Sequence, residues 1–416
     1  MTTLLSHELT HAEIDMKSRR LQIGEGMRKL LDYPKFAGAT RVLILETGYF
    51  FDQIWARTAR SLGWEAQSVS SAMVGGLTHE QLASLFKTLA EFKPDFILTS
   101  NFSGMDTLGI FGRFFEDVRI PYVSWFTDPP HMILYGRDLY LSDYVVAATW
   151  ERAYLPQYQR LGFKHVHFMP HAADPAMFSG APEIHTERAL AFVGTSMIEQ
   201  TREAFEKHEH LPHVVAAMQQ AFDAGRINRH NYNLGLEAML DPEIIAPLDA
   251  SERRNLELLI NYEATRRQRL ELVQALAPLG VLVRGDENWR SVYAKVGGPV
   301  DFFRDLAGFY RGTAVNVNNT SLQMECAVNQ RVFDCPAAGG FLLSDAQPDM
   351  EQFFDLGKEA IVYHSLDEAH DLAAWYTDHP EERLAITEAA RRRIQAEHQH
   401  AHRLTALENF LKERYA

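Results

Sequence analysis

Cysteine is nearly missing from this sequence, with Cys326 and Cys335 its only two. Two thiols without metal-ligand spacing build neither a disulfide framework nor a zinc site, so the expectation is a reducing, cytoplasmic setting with both as small buried hydrophobes. No apolar run approaches the roughly 20 residues of a membrane span, and no cationic start followed by an apolar stretch marks export. Blocks of Lys and Arg are missing too. The formal charge of -14 at pH 7 repels a polyanion, and the sequence carries no basic stripe of the kind that lets nucleic-acid binders displace counterions. Solenoid-period repeats and low-complexity tracts are absent, which excludes repeat arrays and disordered linkers.

What remains is an ordinary globular balance, 46% hydrophobic and 23% charged over 416 residues, longer than one hydrophobic core normally covers. The pattern is a βα rhythm. Short apolar strands at 41–46, 66–69, 95–100, 121–126, 144–147 and 165–168 alternate with helical stretches at 52–62, 78–92, 108–115 and 149–161, and Thr78 is a plausible cap of the second. Alternation of this kind predicts a parallel sheet. Residues 1–39 read as a polar, helix-prone extension before a first doubly wound domain at 40–172. The two prolines within 169–178 mark the crossover to a second domain at 173–395. There the rhythm opens at 190–193, gives way to a charged helical insertion at about 200–275, and resumes with strands at 281–284, 315–317, 341–343 and 360–363. Two long helices then lead into a C-terminal helix at 396–416.

Ligands of open parallel sheets lie beyond the carboxyl ends of the strands, and two such domains facing one another are expected to form a cleft. The loops there hold the candidates. Asn329 is placed to cap a helix with Arg331 in its first turn, where the backbone dipole disfavours a cation unless an anion sits before it. A diphosphate would be such an anion, and Asp334 would accept hydrogen bonds from a ribose diol. The competing reading is an Arg331–carboxylate salt bridge on an ordinary helix that Gly339 terminates. Gly194-Thr195 ends a strand in a turn that admits phosphate to backbone N–H groups, with Arg202 beyond it; Gly285 ends another strand, and Gly339 and Gly340 are counted on the same side. In Trp125-Phe-Thr-Asp128-Pro-Pro-His131, Asp128 or His131 is the candidate general base and Trp125 a sugar-stacking ring, against a reading as turn cap, surface histidine and core tryptophan. The Gly48-Tyr49 loop is a further acceptor-side candidate. His398 and His402 share a helical face, but no third ligand is placed, so a structural terminal helix is expected and no metal.

The run Arg331-Val-Phe-Asp334, then Ala338-Gly-Gly-Phe-Leu-Leu-Ser-Asp345, Phe353 through Glu359, and Ala396-Glu-His-Gln-His-Ala-His-Arg403 resembles the C-terminal domain of the glycosyltransferase family that includes the spore-maturation protein CgeB. The match spans roughly the last 120 residues. It implies a GT-B fold of two facing Rossmann-like domains, with a nucleotide-sugar donor on the C-terminal one and an acceptor held mainly by the N-terminal one. Retaining relatives of this fold often carry two glutamates with seven residues between them. Here the second position is Asp334 and the first is Cys326, with Glu325 one residue off. The expected function is glycosyl transfer from a nucleotide sugar, whether UDP-, GDP- or dTDP-linked, to an unidentified glycan, protein or small-molecule acceptor, with no cofactor required, no nucleic-acid partner and no membrane span. A GT-B nucleotide-sugar epimerase and a non-catalytic carbohydrate- or sugar-nucleotide-binding protein are the alternatives.

Overall fold

A computed structural model describes residues 13–71 and 77–416 of the chain, which divides into two compact units, Met1–Pro170 with His400–Ala416, and His171–Gln399.

Among the described residues the first unit opens on an antiparallel hairpin, β1 (Glu13–Asp15) and β2 (Arg20–Gln22), where the sequence reads as helix-prone, before a short helix Glu25–Leu31. Residues 1–12 of the expected extension lie outside the described residues. Asp15 accepts from the Lys17 and Ser18 backbone N–H groups and from Ser18 Oγ, and this local bonding favours a turn over a helix. The sheet follows: β3 (Arg41–Glu46), β4 (Glu65–Ser70), β5 (Phe96–Ser100), β6 (Tyr122–Phe126), β7 (Val145–Thr149) and β8 (His165–Phe168). It is parallel throughout in the order β4-β3-β5-β6-β7-β8. Every residue of β5, β6 and β7 is buried, as in strands covered by helices on both faces. Thr78 caps the helix His79–Phe92 in a full capping box with Gln81. The last helix, His400–Tyr415, returns to this unit and packs beside the helix Phe50–Ser61, burying Leu404, Leu407 and Leu411. Each buried leucine contributes about 2 kcal/mol.

The second unit carries β9 (Arg188–Val193), β10 (Leu282–Arg284), β11 (Val296–Gly297), β12 (Thr313–Asn318), β13 (Leu342–Asp345) and β14 (Ile361–Tyr363) in a parallel sheet ordered β11-β10-β9-β12-β13-β14. Strand β11 is too short to show any periodicity in sequence. Between β9 and β10 lies the helical insertion, from Ile198–Glu206 to the long helix Ala250–Leu276. It has a hydrophobic core of its own, with Val214, Met218, Tyr232, Leu256 and Ile260 among its members. The end of the long helix leaves that core, and Leu272, Val273 and Leu276 pack with the sheet residues Leu190, Val283 and Val315. His398 precedes the terminal helix and belongs to this unit, where it meets the Phe353 carbonyl and the rings of Phe333, Phe353 and Phe354. Among the described residues no helix is long and apolar enough to cross a membrane.

Candidate functional site

In the second unit the carboxyl ends of β9 and β12 are tied together by Arg331. This residue opens the helix Arg331–Ala337, and its guanidinium donates to the Val193 carbonyl (2.7 Å), to Asn318 Oδ1 and to Tyr310 Oη (3.3 Å). Two residues further along β9's exit, Arg269 donates to the Thr195 carbonyl (2.7 Å) and to Thr195 Oγ1 (2.8 Å). Both cations are therefore held by neutral oxygens. Burial first and the charge of Arg331 second lower the Arg269 pKa to about 10, partly opposed by Asp286. Two guanidinium groups that repel one another around one strand exit form a site that an anion would relieve.

The turn between them is shaped by close backbone approach. A Cβ on Gly285 would meet the Gly194 carbonyl oxygen at 2.2 Å, so only glycine lets the exits of β9 and β10 sit side by side. Trp289 Nε1 donates to the same carbonyl (2.9 Å), and Asp286 accepts from the backbone N–H and hydroxyl of Ser196. Thr195 is left exposed at the tip.

Arg269 is the residue that sequence reasoning missed, and its signal was legible. Glu263 pairs with Arg266 and Arg267, three and four positions on, leaving Arg269 beyond helical reach. Arg202, expected beside the turn, is instead exposed and bound between Glu199 and Glu206. Asn329 does not cap the helix with its side chain; its amide donates to Asn318 Oδ1 (2.9 Å) and the Asn319 carbonyl (3.2 Å). Asp334 is 2% exposed and presents no surface to a ribose. Burial pushes its carboxyl well above the usual range, against a Gln330 hydrogen bond and the Arg331 charge. Gly339 and Gly340 lie at the other end of that helix, before β13, where Gly339 (φ +88°) packs on the Ala181 carbonyl and Gly340 on that of Tyr310. They make a helix stop and a close packing contact, not a donor site.

In the first unit the corresponding strand exits gather Gly48, Asn101 and Asp128. Asp52 accepts from the Thr47 (2.8 Å) and Gly48 (3.0 Å) backbone N–H groups, fixing the open Gly48-Tyr49 turn, where Gly48 has φ +84° and a Cβ would meet nothing within 4 Å. Asn101 donates to Asp128 Oδ2 (2.7 Å) and accepts from the Thr127 backbone N–H (2.8 Å). Burial raises the Asp128 pKa and the Asn101 bond opposes it. Asn101 and Phe102 are both left-handed, at φ +50° and +59°, a strained pair of the kind that collects at functional sites. His131 sits on the short helix Pro130–Leu134 with its ring edge-on to Tyr135. Trp125 cannot stack on a sugar: it is 1% exposed, wedged against Phe51 and Trp55, and its Nε1 donates to the Met169 carbonyl. Among the described residues no three His, Cys, Asp or Glu side chains gather as metal ligands.

A family model described as glycosyl transferase-like matches residues 266–409, a span that includes Arg269, Gly285 and Arg331. No curated protein matches the chain significantly in sequence. Among solved structures, the sucrose-phosphate synthase of Thermosynechococcus elongatus aligns at a TM-score of 0.50 and 9% identity, over 90% of this chain and 98% of that one. Anabaena HepE in complex with UDP aligns at a TM-score of 0.50 and 9% identity, over 90% of this chain and 100% of that one. At such identity the likeness is one of fold, and the fold is GT-B.

Proposed function

We propose that this chain is a cytoplasmic glycosyltransferase of the CgeB-like kind, which takes a glycosyl group from a nucleotide sugar whose diphosphate lies against Arg269, Arg331 and the Gly194-Thr195 turn. The observation that carries this reading is the pair of guanidinium groups at the exit of β9, both held by neutral oxygens, with the buried Arg269 Nε left without a partner and that side chain driven down to about 10. As the sugar–oxygen bond to the diphosphate breaks, negative charge grows on the leaving phosphate oxygen. Arginines already held in place stabilise it without reorganisation. The match of residues 266–409 to the glycosyl transferase-like family supports the same assignment.

On the first unit, Asp128 is the group proposed to take the acceptor hydroxyl's proton, because burial makes its carboxylate more basic and Asn101 fixes one of its oxygens. Calorimetric titration with UDP, GDP and dTDP, followed by measurement of nucleoside diphosphate release from the matching nucleotide sugars over an acceptor panel, tests the reading. Binding of at least one diphosphate and acceptor-dependent release are expected; no binding by any of the three overturns it.

A further inference from the structure

We propose that the helical insertion is a clamp on the loop 319–330, and that Arg229, His230 and Asn233 are positioning residues for the anion site; this rests on the donor reading above. The loop joins β12 to the helix Arg331–Ala337 and contains no regular element. A structureless stretch of this length stands at the upper end of ordinary connections in compact domains. Among its backbone bonds, the Met324 N–H donates to the Ser321 carbonyl, the Cys326 carbonyl accepts from the Asp349 N–H, the Thr320 N–H donates to Asp345 Oδ2 (3.1 Å), and the Asn329 and Gln330 carbonyls accept from the helix that follows. At its far end Asn329 donates to the same Asn318 oxygen that accepts from Arg331. The shape of the loop is thereby coupled to the placement of that guanidinium.

The insertion adds support from its own side chains. Leu322, 2% exposed, is buried in the insertion's hydrophobic core. From the helix Arg229–Leu234, Arg229 Nη2 donates to the Thr320 carbonyl (2.9 Å) and to Asp345 Oδ2 (2.7 Å). Four residues on, and so on the same helical face, Asn233 donates to Glu325 Oε2 (3.1 Å), while His230 Nδ1 bonds Glu325 Oε1 (2.6 Å). Asn261 reaches Gln323 at 3.3 Å. Both oxygens of Glu325 are thus taken by the insertion. The carboxylate nearest the vacant first-glutamate position serves the clamp.

A loop that samples other shapes lowers the fraction of molecules competent to bind, and apparent affinity falls by that fraction. The test compares wild type with the double variant His230→Ala/Asn233→Ala and, from the loop side, Glu325→Ala. His230→Gln, which keeps a donor, serves as the conservative control. Amide hydrogen exchange of residues 319–330, with and without saturating UDP, is read beside the calorimetric dissociation constant for UDP, with GDP or dTDP used if UDP does not bind. Expected are faster exchange confined to the loop, a loss of diphosphate affinity of about three- to tenfold, recovery of protection in the complex, and a smaller effect for His230→Gln. Unchanged loop exchange overturns the proposal, and so does faster exchange with unchanged affinity. Exchange that rises throughout His171–Gln399 marks a merely structural role and overturns it as well. A wild type that binds none of the three diphosphates defeats the donor reading instead, and loop-confined exchange still decides whether the clamp exists.

Discussion

Replacing Arg331 with methionine keeps the length of the side chain and removes its charge and donors. In the ligand-bound protein the loss is a charge-assisted contact to phosphate, about 1.5–3 kcal/mol, which corresponds to roughly 10- to 150-fold in the dissociation constant. In the free protein two effects oppose one another. The variant gives up three bonds to neutral oxygens, each worth about 1 kcal/mol, but it also removes the repulsion that helps hold Arg269 down. Asn318 Oδ1 keeps the Asn329 amide as a donor, so its loss is partial. The net cost to unfolding free energy is therefore expected at about 1–2 kcal/mol, well below the 3–5 kcal/mol of breaking a buried ion pair. Calorimetry with UDP and urea unfolding of the free protein measure the two halves separately. Unchanged diphosphate affinity together with a destabilisation above about 3 kcal/mol would refute the reasoning and make Arg331 a structural anchor between β9 and β12.

Diphosphate affinity should be full below pH 10 and decline as pH rises through about 10, the lowered pKa of Arg269, because the anion favours the charged guanidinium; calorimetry from pH 8 to 11 reads this, and a flat profile counts against Arg269 as a ligand. The same shift means that the charged side chain costs folding energy below pH 10, a cost that fades above it. Asp128→Asn should lower turnover while diphosphate affinity stays within a few-fold. Asn101→Gly, which suits the left-handed backbone there (φ +50°), removes the bond that lowers the Asp128 pKa and should move the acid limb of the kcat profile to higher pH; an unmoved limb excludes Asp128 as the titrating base. Gly285→Ala sets a methyl 2.2 Å from the Gly194 carbonyl oxygen, so a loss of about 1–3 kcal/mol in stability should accompany loss of diphosphate binding, and an unchanged melting temperature rejects the close-approach argument. Arg202→Ala should alter neither melting temperature nor diphosphate affinity, since its partners Glu199 and Glu206 are solvated; a tenfold loss of affinity would return it to the donor site.

Strand content and order of appearance were legible in the sequence because buried parallel strands are continuous apolar runs bounded by polar turns, and β3 and β8 fall where the pattern places them. The same rhythm breaks in the sequence at 169–178 and again across about 200–275, where the helices from Ile198–Glu206 to Ala250–Leu276 lie. Local chemistry also marked Arg331 correctly as a first-turn cation, and Gly194-Thr195 as the turn beside it. It was blind to which end of an element a residue occupies in space. Gly339 and Gly340 can be counted with the donor loops until the helix Arg331–Ala337 is seen to carry them to the opposite end of the sheet, and between sugar platform and core tryptophan Trp125 stays open until Phe51 and Trp55 close over it. The hairpin at 13–22 and the two-residue β11 are too short to leave a periodic trace, and the return of the terminal helix to the first unit is set by packing with residues far away in the chain. Arg269 marks the same boundary. The helix that carries it follows from the sequence, but its approach to Thr195, 74 positions away, is decided by the packing of that helix on the sheet. Periodicity and composition are local and determine the elements; the two guanidinium groups meet only where tertiary packing brings distant elements together, and that packing decided the site.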